Sequence, residues 1–190
     1  MHAWSSSLFL LLNLTWGGYE LLISHRRRAA DGGAHDQGTL KLLWRVLYTV
    51  IALGVAAACL GIGRLPAHLL EPLRWTGCAL IGGGLAFRLW AIRTLDRWFT
   101  VDVTIQEGQR LIQHGPYRWL CHPSYTGALL AFCGLAIGLG NAVSVLLIVP
   151  AASWAFLRRI RVEEGVLREA FGDAYERYVA SRWRLLPGVW

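Results

Sequence analysis

Residues 109–125, QRLIQHGPYRWLCHPSY, gather two histidines, two tyrosines, two prolines, a glycine and a cysteine between two strongly apolar regions. Gly115-Pro116 and His122-Pro123 punctuate the run, because a residue before proline is pushed out of helical space and proline has no N–H to donate. The stretch therefore predicts a structured, kinked connection rather than one continuous helix. Further along, Arg159, Glu163 and Glu164 supply a cation and two acids. Arg159 and Glu163 are four positions apart, which puts them on one face of a helix. A cation, acids, an imidazole and phenols gathered beside apolar segments make a polar cluster able to hold a charged ligand. The competing reading is plain interfacial anchoring of a helical bundle.

Whatever positions these residues lies in a membrane. The chain is 55% hydrophobic and only 16% charged, more apolar than a soluble domain of 190 residues requires. Ten tryptophans and six tyrosines suit rings at membrane interfaces. The formal charge of +7 sits mainly at the ends of apolar segments, as membrane topology demands, and no basic-aromatic module supports nucleic-acid binding. Cys59, Cys78, Cys121 and Cys133 have no metal-ligand spacing and read as small apolar packers, so neither a disulfide framework nor a metal is expected.

Leu8–Ser24 is the first apolar run, followed by His25-Arg26-Arg27-Arg28. A signal peptide has its positive charge ahead of the apolar run, so this segment predicts a retained helix. A polar, Gly-rich loop over 29–39 precedes a second run, Leu40–Ile62, and Gly63–Glu71 turns into a third, Pro72 to about Thr94. Gly82-Gly83-Gly84 within the third run suits close helix packing; no strand precedes these glycines, which excludes a phosphate loop. Glu20 and Arg88 stand inside apolar runs, where either snorkelling or a polar cavity accommodates them. His25 and His35 read as solvated loop residues.

Ser124–Leu139 and Ala142–Phe156 are shorter runs joined by Gly140-Asn141, near the ~17-residue limit for spanning, and predict a tight helical hairpin. Residues 158–190 carry seven arginines and an amphipathic pattern that predicts a helix lying on the membrane face. Arginine and lysine number five over 24–45, two over 63–74, four over 91–123 and seven in the tail. That distribution places the first loop, the central segment and the tail in the cytoplasm, with the N-terminus outside. The expected fold is thus an all-α integral membrane protein of about five transmembrane helices, with a cytoplasmic amphipathic C-terminal helix. It forms a single membrane domain over 1–190, with N-terminal helices over 1–84 and a second part over 85–190. The hairpin returns His122 and Tyr125 to the depth of Arg159, Glu163 and Glu164.

At these positions the chain resembles the isoprenylcysteine carboxyl methyltransferase family. The resemblance rests on Gly115-Pro116-Tyr117-Arg118, His122-Pro123-Ser124-Tyr125-Thr126-Gly127, Glu163-Glu164 and Phe171-Gly172-Asp173-Ala174-Tyr175. It extends over roughly residues 85 to 187 and preserves the spacing of the motifs. It implies that 85–190 is the cofactor-binding catalytic core, with a cytoplasm-facing pocket for S-adenosylmethionine built without a Rossmann domain, and no glycine fingerprint follows a strand here. By the same resemblance Gln109, Arg110, Leu111 and Ile112 line the cofactor, and Tyr117, His122, Pro123, Ser124 and Tyr125 complete that wall. Glu163 holds the cofactor's amino-acid end, Arg159 faces the methyl acceptor as the catalytic residue, and Glu164 joins it in binding substrate. Where the family carries arginine before the His-Pro pair, this chain has Cys121. A thiol does not replace a fixed guanidinium charge, and Arg118, three positions earlier, is the nearest substitute.

The chemistry agrees with that assignment. Aromatic faces and carboxylates favour a sulfonium cation. Its methyl group is already activated, so transfer to a carboxylate needs positioning and no general base. Arg159 suits a bidentate grip on such an acceptor. The expected function is transfer of a methyl group to a lipophilic carboxylate acceptor that enters from the bilayer. The alternatives are an amine or thiol acceptor, such as a phospholipid headgroup or small thiol, an NADPH-dependent reductase of the sterol-reductase type, and a scaffold without activity.

Overall fold

The structure, a computed structural model, describes residues 2–27 and 36–188, without the side chains of His2 and Ala3. Most of the expected Gly-rich loop, including His35, lies outside the described residues, as do Arg28 and the last two positions. Among the described residues six α-helices follow in order: α1 (His2–Arg26), α2 (Thr39–Cys59), α3 (Ala67–Leu95), α4 (Pro123–Gly138), α5 (Ala142–Phe171) and α6 (Asp173–Ala180). Two short 3-10 turns, Asp96–Trp98 and Gly115–Arg118, lie between α3 and α4. Leu120 and Trp183 form an isolated bridge, and among the described residues no strand forms.

Trp4–Arg26, Thr39–Cys59, Ala67–Trp98 and Ala142–Phe171 are long and apolar enough to cross a membrane. The chain is an all-helical integral membrane protein. Helix α4 has 16 residues, so it reaches roughly 24 Å, short of the ~30 Å hydrocarbon core. The second arm of the expected hairpin does not stop at Phe156. It runs on to Phe171 as one 30-residue helix, α5, because 157–164 is a run of good helix formers with no proline. The break comes at Gly172, whose φ of 50° carries the chain into α6. The expected tail helix is therefore the end of α5 plus the short α6. Helix α3 likewise starts at Ala67, and Pro72 sits within it.

Close backbone contact joins α3 to α4. A Cβ added to Gly84 would lie 2.5 Å from the Gly127 carbonyl oxygen, and one added to Gly127 would lie 2.6 Å from that of Gly84. Two turns away, Gly77 and Gly134 repeat the arrangement. Of the three consecutive glycines only Gly84 is at this contact, since nothing lies within 4 Å of a Cβ on Gly82 or Gly83. Small residues matter here because helices in lipid associate by packing rather than by exclusion from water. Gly127→Val is accordingly expected to force α3 and α4 apart and lower the thermal midpoint in detergent. Gly83→Val is expected to leave that midpoint nearly unchanged.

Side chains tie the remaining helices. Ser144 Oγ of α5 donates to the Gly54 carbonyl of α2 at 2.7 Å, and Asn141 caps α5 while donating to Ile62 O at 2.6 Å. Glu20 of α1 accepts from Arg88 of α3 through both carboxylate oxygens, at 2.6 and 2.8 Å, and Arg88 Nη1 donates to Ser124 O at the head of α4. The two isolated charges in apolar runs are thus one bidentate pair, which satisfies both groups without snorkelling. This pair fixes three helices around the start of α4.

Candidate functional site

The stretch 109–125 runs without a helix to Gln113, tightens into the 3-10 turn at Gly115–Arg118, and enters α4 at Pro123. Proline is favourable at that first helical position, where no N–H is needed. A strap from the C-terminal segment fixes this path. Cys121 N donates to Trp183 O at 2.8 Å, His122 N to Arg184 O at 3.0 Å, and Thr126 Oγ1 to Leu185 O at 2.8 Å.

Two cavities meet here. The smaller, about 100 Å³, is lined by Gln109, Arg110, Leu111 and Ile112, by Tyr117, His122, Ser124 and Tyr125, and by Glu163. Among the residues singled out for a cofactor wall, Pro123 alone does not line it; this residue is buried at the head of α4. The larger cavity, about 320 Å³, is mostly apolar, with Trp16, Leu43, Leu47, Phe132 and Phe156 in its wall and Arg159 among its few charged groups. Phe99, Thr100 and Tyr125 line both.

Tyr125 is the partition. Its hydroxyl accepts from Arg159 Nε at 3.0 Å and donates to Glu163 Oε2 at 2.6 Å. The ring stacks near His122, with centroids 5.8 Å apart, and packs on Phe156 at 5.4 Å. A cation on the apolar side is thereby linked through a phenol to a carboxylate on the polar side.

Arg159 is 2% exposed and its nitrogens are occupied. Nη1 donates to Asp36 Oδ1 at 2.6 Å and to Thr39 Oγ1 at 3.1 Å, while Nη2 donates to the Val101 carbonyl. Asp36 takes one arm of the guanidinium through Oδ1 alone, while its Oδ2 accepts from Leu40 N at the start of α2, so the guanidinium expected to grip an acceptor is committed to an internal ion pair. Sequence reasoning missed Asp36: it sits in a polar loop, and nothing local links it to a residue 123 positions away.

Glu164 lines neither cavity. Its carboxylate, 4% exposed, takes Arg184 Nε at 2.9 Å, Arg168 Nη2 at 3.0 Å and His122 Nε2 at 3.3 Å. The substrate role expected for Glu164 finds no cavity beside its carboxylate, which points away from the one that Glu163 lines because i and i+1 on a helix lie about 100° apart. Arg118 does not stand in for the missing arginine before His122; its guanidinium lies 3.9 Å over the Trp119 ring.

Cys121 packs with Tyr175, Tyr178, Leu111 and Phe171. Burial first, and then the Glu164 carboxylate, push its thiol up to about 11. Burial and the nearby glutamates, Glu163 for Tyr117 and Glu164 for Tyr175, raise both phenols in the same direction. A thiol so raised is protonated at neutral pH and a poor nucleophile. At pH 7.5 a maleimide is expected to label the exposed Cys59 and spare Cys121. Labelling of Cys121 should appear only when the protein is unfolded, as mapped by peptide mass spectrometry.

These observations define a class: a membrane-embedded helical protein in which a cavity of mixed polar and apolar lining and a mostly apolar cavity share one wall. The chain belongs to the phospholipid methyltransferase family, whose model matches residues 73–174, just over half of the 190. Within it, the resemblance to isoprenylcysteine carboxyl methyltransferases is borne out by the relatives. A probable protein-S-isoprenylcysteine O-methyltransferase of Oryza sativa subsp. indica is 33% identical over 117 residues, 60% of this chain and 61% of that protein. Protein-S-isoprenylcysteine O-methyltransferase A of Arabidopsis thaliana is 36% identical over 107 residues, 55% of this chain and 54% of its own length. The solved structure of the eukaryotic intramembrane Ras methyltransferase, isoprenylcysteine carboxyl methyltransferase, superposes with a TM-score of 0.63 at 25% identity. That match covers 75% of this chain and 52% of the solved one. The chain thus spans about half to three-fifths of the length of these relatives.

Proposed function

We propose that the protein transfers a methyl group from S-adenosylmethionine to a lipid-borne acceptor, with a prenylated cysteine carboxylate as the first candidate. One observation carries the reading: the hydrogen-bonded chain Arg159–Tyr125–Glu163 joins a cavity of mixed lining to a mostly apolar one. A methyl donor and a lipophilic acceptor need separate entries and a shared boundary. The relatives' names supply the acceptor class.

The residues present fit the cofactor in chemistry; the cavity of about 100 Å³, below the ~300 Å³ of small-molecule pockets, has to widen to admit the whole molecule. Glu163, partly exposed in the smaller cavity, is a carboxylate available to a cationic amino-acid end. The Tyr175 hydroxyl is buried without a hydrogen-bond partner among the described residues, beside an apolar cluster suited to a flat base. S-adenosylmethionine supplies a methyl group already activated on a sulfonium, and its transfer to a carboxylate breaks one C–S bond and forms one C–O bond with no proton to remove. Tyr125 holds the partition, Arg159 fixes Tyr125 through its Nε and so positions the wall that an acceptor head would meet, and the apolar wall excludes water and takes the lipid tail. The catalytic core of 85–190 draws on the N-terminal part of the chain for this, through Asp36 just before α2 and Thr39 at its start. In this reading the site and the C-terminus face the cytoplasm and the N-terminus lies outside.

A specific observation favours a second acceptor class. Asp36 already cancels the charge of Arg159, and Cys121 carries none, so a neutral amine or thiol meets less electrostatic opposition than in a cationic site. Thermal-shift titration separates the classes of activity: S-adenosylhomocysteine is expected to raise the midpoint, by the mass-action stabilisation of a native-state ligand. Stabilisation by NADPH instead would overturn the methyltransferase reading. Radiolabelled methyl transfer to a prenylated cysteine, its amide and an aminophospholipid then identifies the acceptor.

A further inference from the structure

Tyr175 and Tyr178 stand one turn apart on α6, both buried, and differ in one respect. The Tyr178 hydroxyl donates to Tyr117 O at 3.1 Å and lies 3.3 Å from Leu120 O. The Tyr175 hydroxyl, on a residue 1% exposed, has no hydrogen-bond partner among the described residues. An unsatisfied buried hydroxyl opposes folding, whereas phenylalanine would fill the same space without that penalty. The fold supplies carbonyls to one phenol of the pair and withholds them from the other.

Both rings line the smaller cavity. Tyr175 contributes to its apolar part, with Leu111, Cys121, Leu167 and Phe171 around it. The carboxylate of Glu163 belongs to the same cavity. A ligand that satisfies all of these groups has a flat, mainly apolar portion with a polar edge and, elsewhere, a cationic group.

We infer that the Tyr175 hydroxyl is a cofactor-contacting group, kept without a protein partner so that it hydrogen-bonds the nucleoside portion of the bound methyl donor. The inference rests on the proposed use of an S-adenosyl cofactor and adds to it a residue and a polarity. A phenol both donates and accepts, which suits the edge of a purine, where donor and acceptor atoms alternate. Leu111, Leu167 and Phe171 then flank the base, and Cys121, held as a neutral thiol, adds bulk without charge. The departure from arginine at this position is consistent with an apolar floor.

Two ligands and two variants decide the matter. S-adenosylhomocysteine carries nucleoside and amino acid; 5′-methylthioadenosine keeps the nucleoside alone. Calorimetric titration of the purified full chain is expected to show that Tyr175→Phe weakens both, by roughly fivefold to tenfold, the loss of one neutral hydrogen bond. Glu163→Gln is expected to weaken S-adenosylhomocysteine and leave 5′-methylthioadenosine unaffected. The ligand-free midpoint of Tyr175→Phe should equal or exceed that of the parent, the opposite of what loss of a structural hydrogen bond gives. Unchanged affinity for 5′-methylthioadenosine in Tyr175→Phe, or a lowered ligand-free midpoint, overturns the inference and leaves the cofactor assignment standing. Failure of the parent protein to bind either ligand overturns both.

Discussion

Arg159→Ala is expected to lose roughly 3–5 kcal/mol of stability, because it strands the buried Asp36 carboxylate. It also removes the donors to Tyr125 Oη, Thr39 Oγ1 and the Val101 carbonyl, so the partition between the cavities loses one of its two anchors. Turnover should fall by roughly 100-fold or more, the scale of a misplacement at the reacting centre. Stability and catalysis are separable here. Asp36→Asn keeps an acceptor for Leu40 N while discarding the charge, so Asp36→Asn with Arg159→Ala should recover much of the lost thermal midpoint. Turnover in that pair should stay low, and S-adenosylhomocysteine should still stabilise it, since Arg159 does not line the smaller cavity. Full turnover in the stable double variant would remove Arg159 from the site and leave it as a buried strut.

Local motifs carried much of this site, and distant pairings carried the rest. The run from Gln109 to Tyr125 announces itself, because two prolines and a dense set of polar side chains interrupt an apolar chain. Eight of its residues singled out for the cofactor line the smaller cavity together with Glu163. Glu20 and Arg88 were visible as anomalies, lone charges in apolar runs, yet their union spans 68 positions and has no sequence signature. Asp36 gave less, being one polar residue in a polar loop. The end of α5 is not legible because apolar character ends near Phe156 while helix propensity does not; a helix in lipid can continue into water as a charged one. Likewise three glycines in a row mark a packing face, and only the tertiary contact selects Gly84 from them.

Glu163 and Glu164 are adjacent, equally charged and expected to fail in opposite ways. Glu163 is partly exposed, lines the smaller cavity and accepts one short bond from Tyr125. Glu163→Gln keeps an acceptor for that phenol and discards the charge, so the fold should persist. Binding of S-adenosylhomocysteine should weaken by about tenfold to a hundredfold, the range of a charge-assisted contact. Glu164 faces inward and holds His122, Arg184 and Arg168. Arg168 is well exposed and contributes little, but His122 and Arg184 join the wall of the smaller cavity to the C-terminal strap. Glu164→Gln should therefore cost roughly 2–4 kcal/mol and detach that strap, which amide exchange at Cys121 and His122 would report as faster. Any loss of ligand affinity in Glu164→Gln should shrink as the temperature is lowered away from its reduced midpoint, whereas the loss in Glu163→Gln should persist at every temperature at which the protein is folded. The reverse pattern, an unstable Glu163→Gln and a stable Glu164→Gln that binds poorly, would exchange the two roles and move the cofactor to the other face of α5.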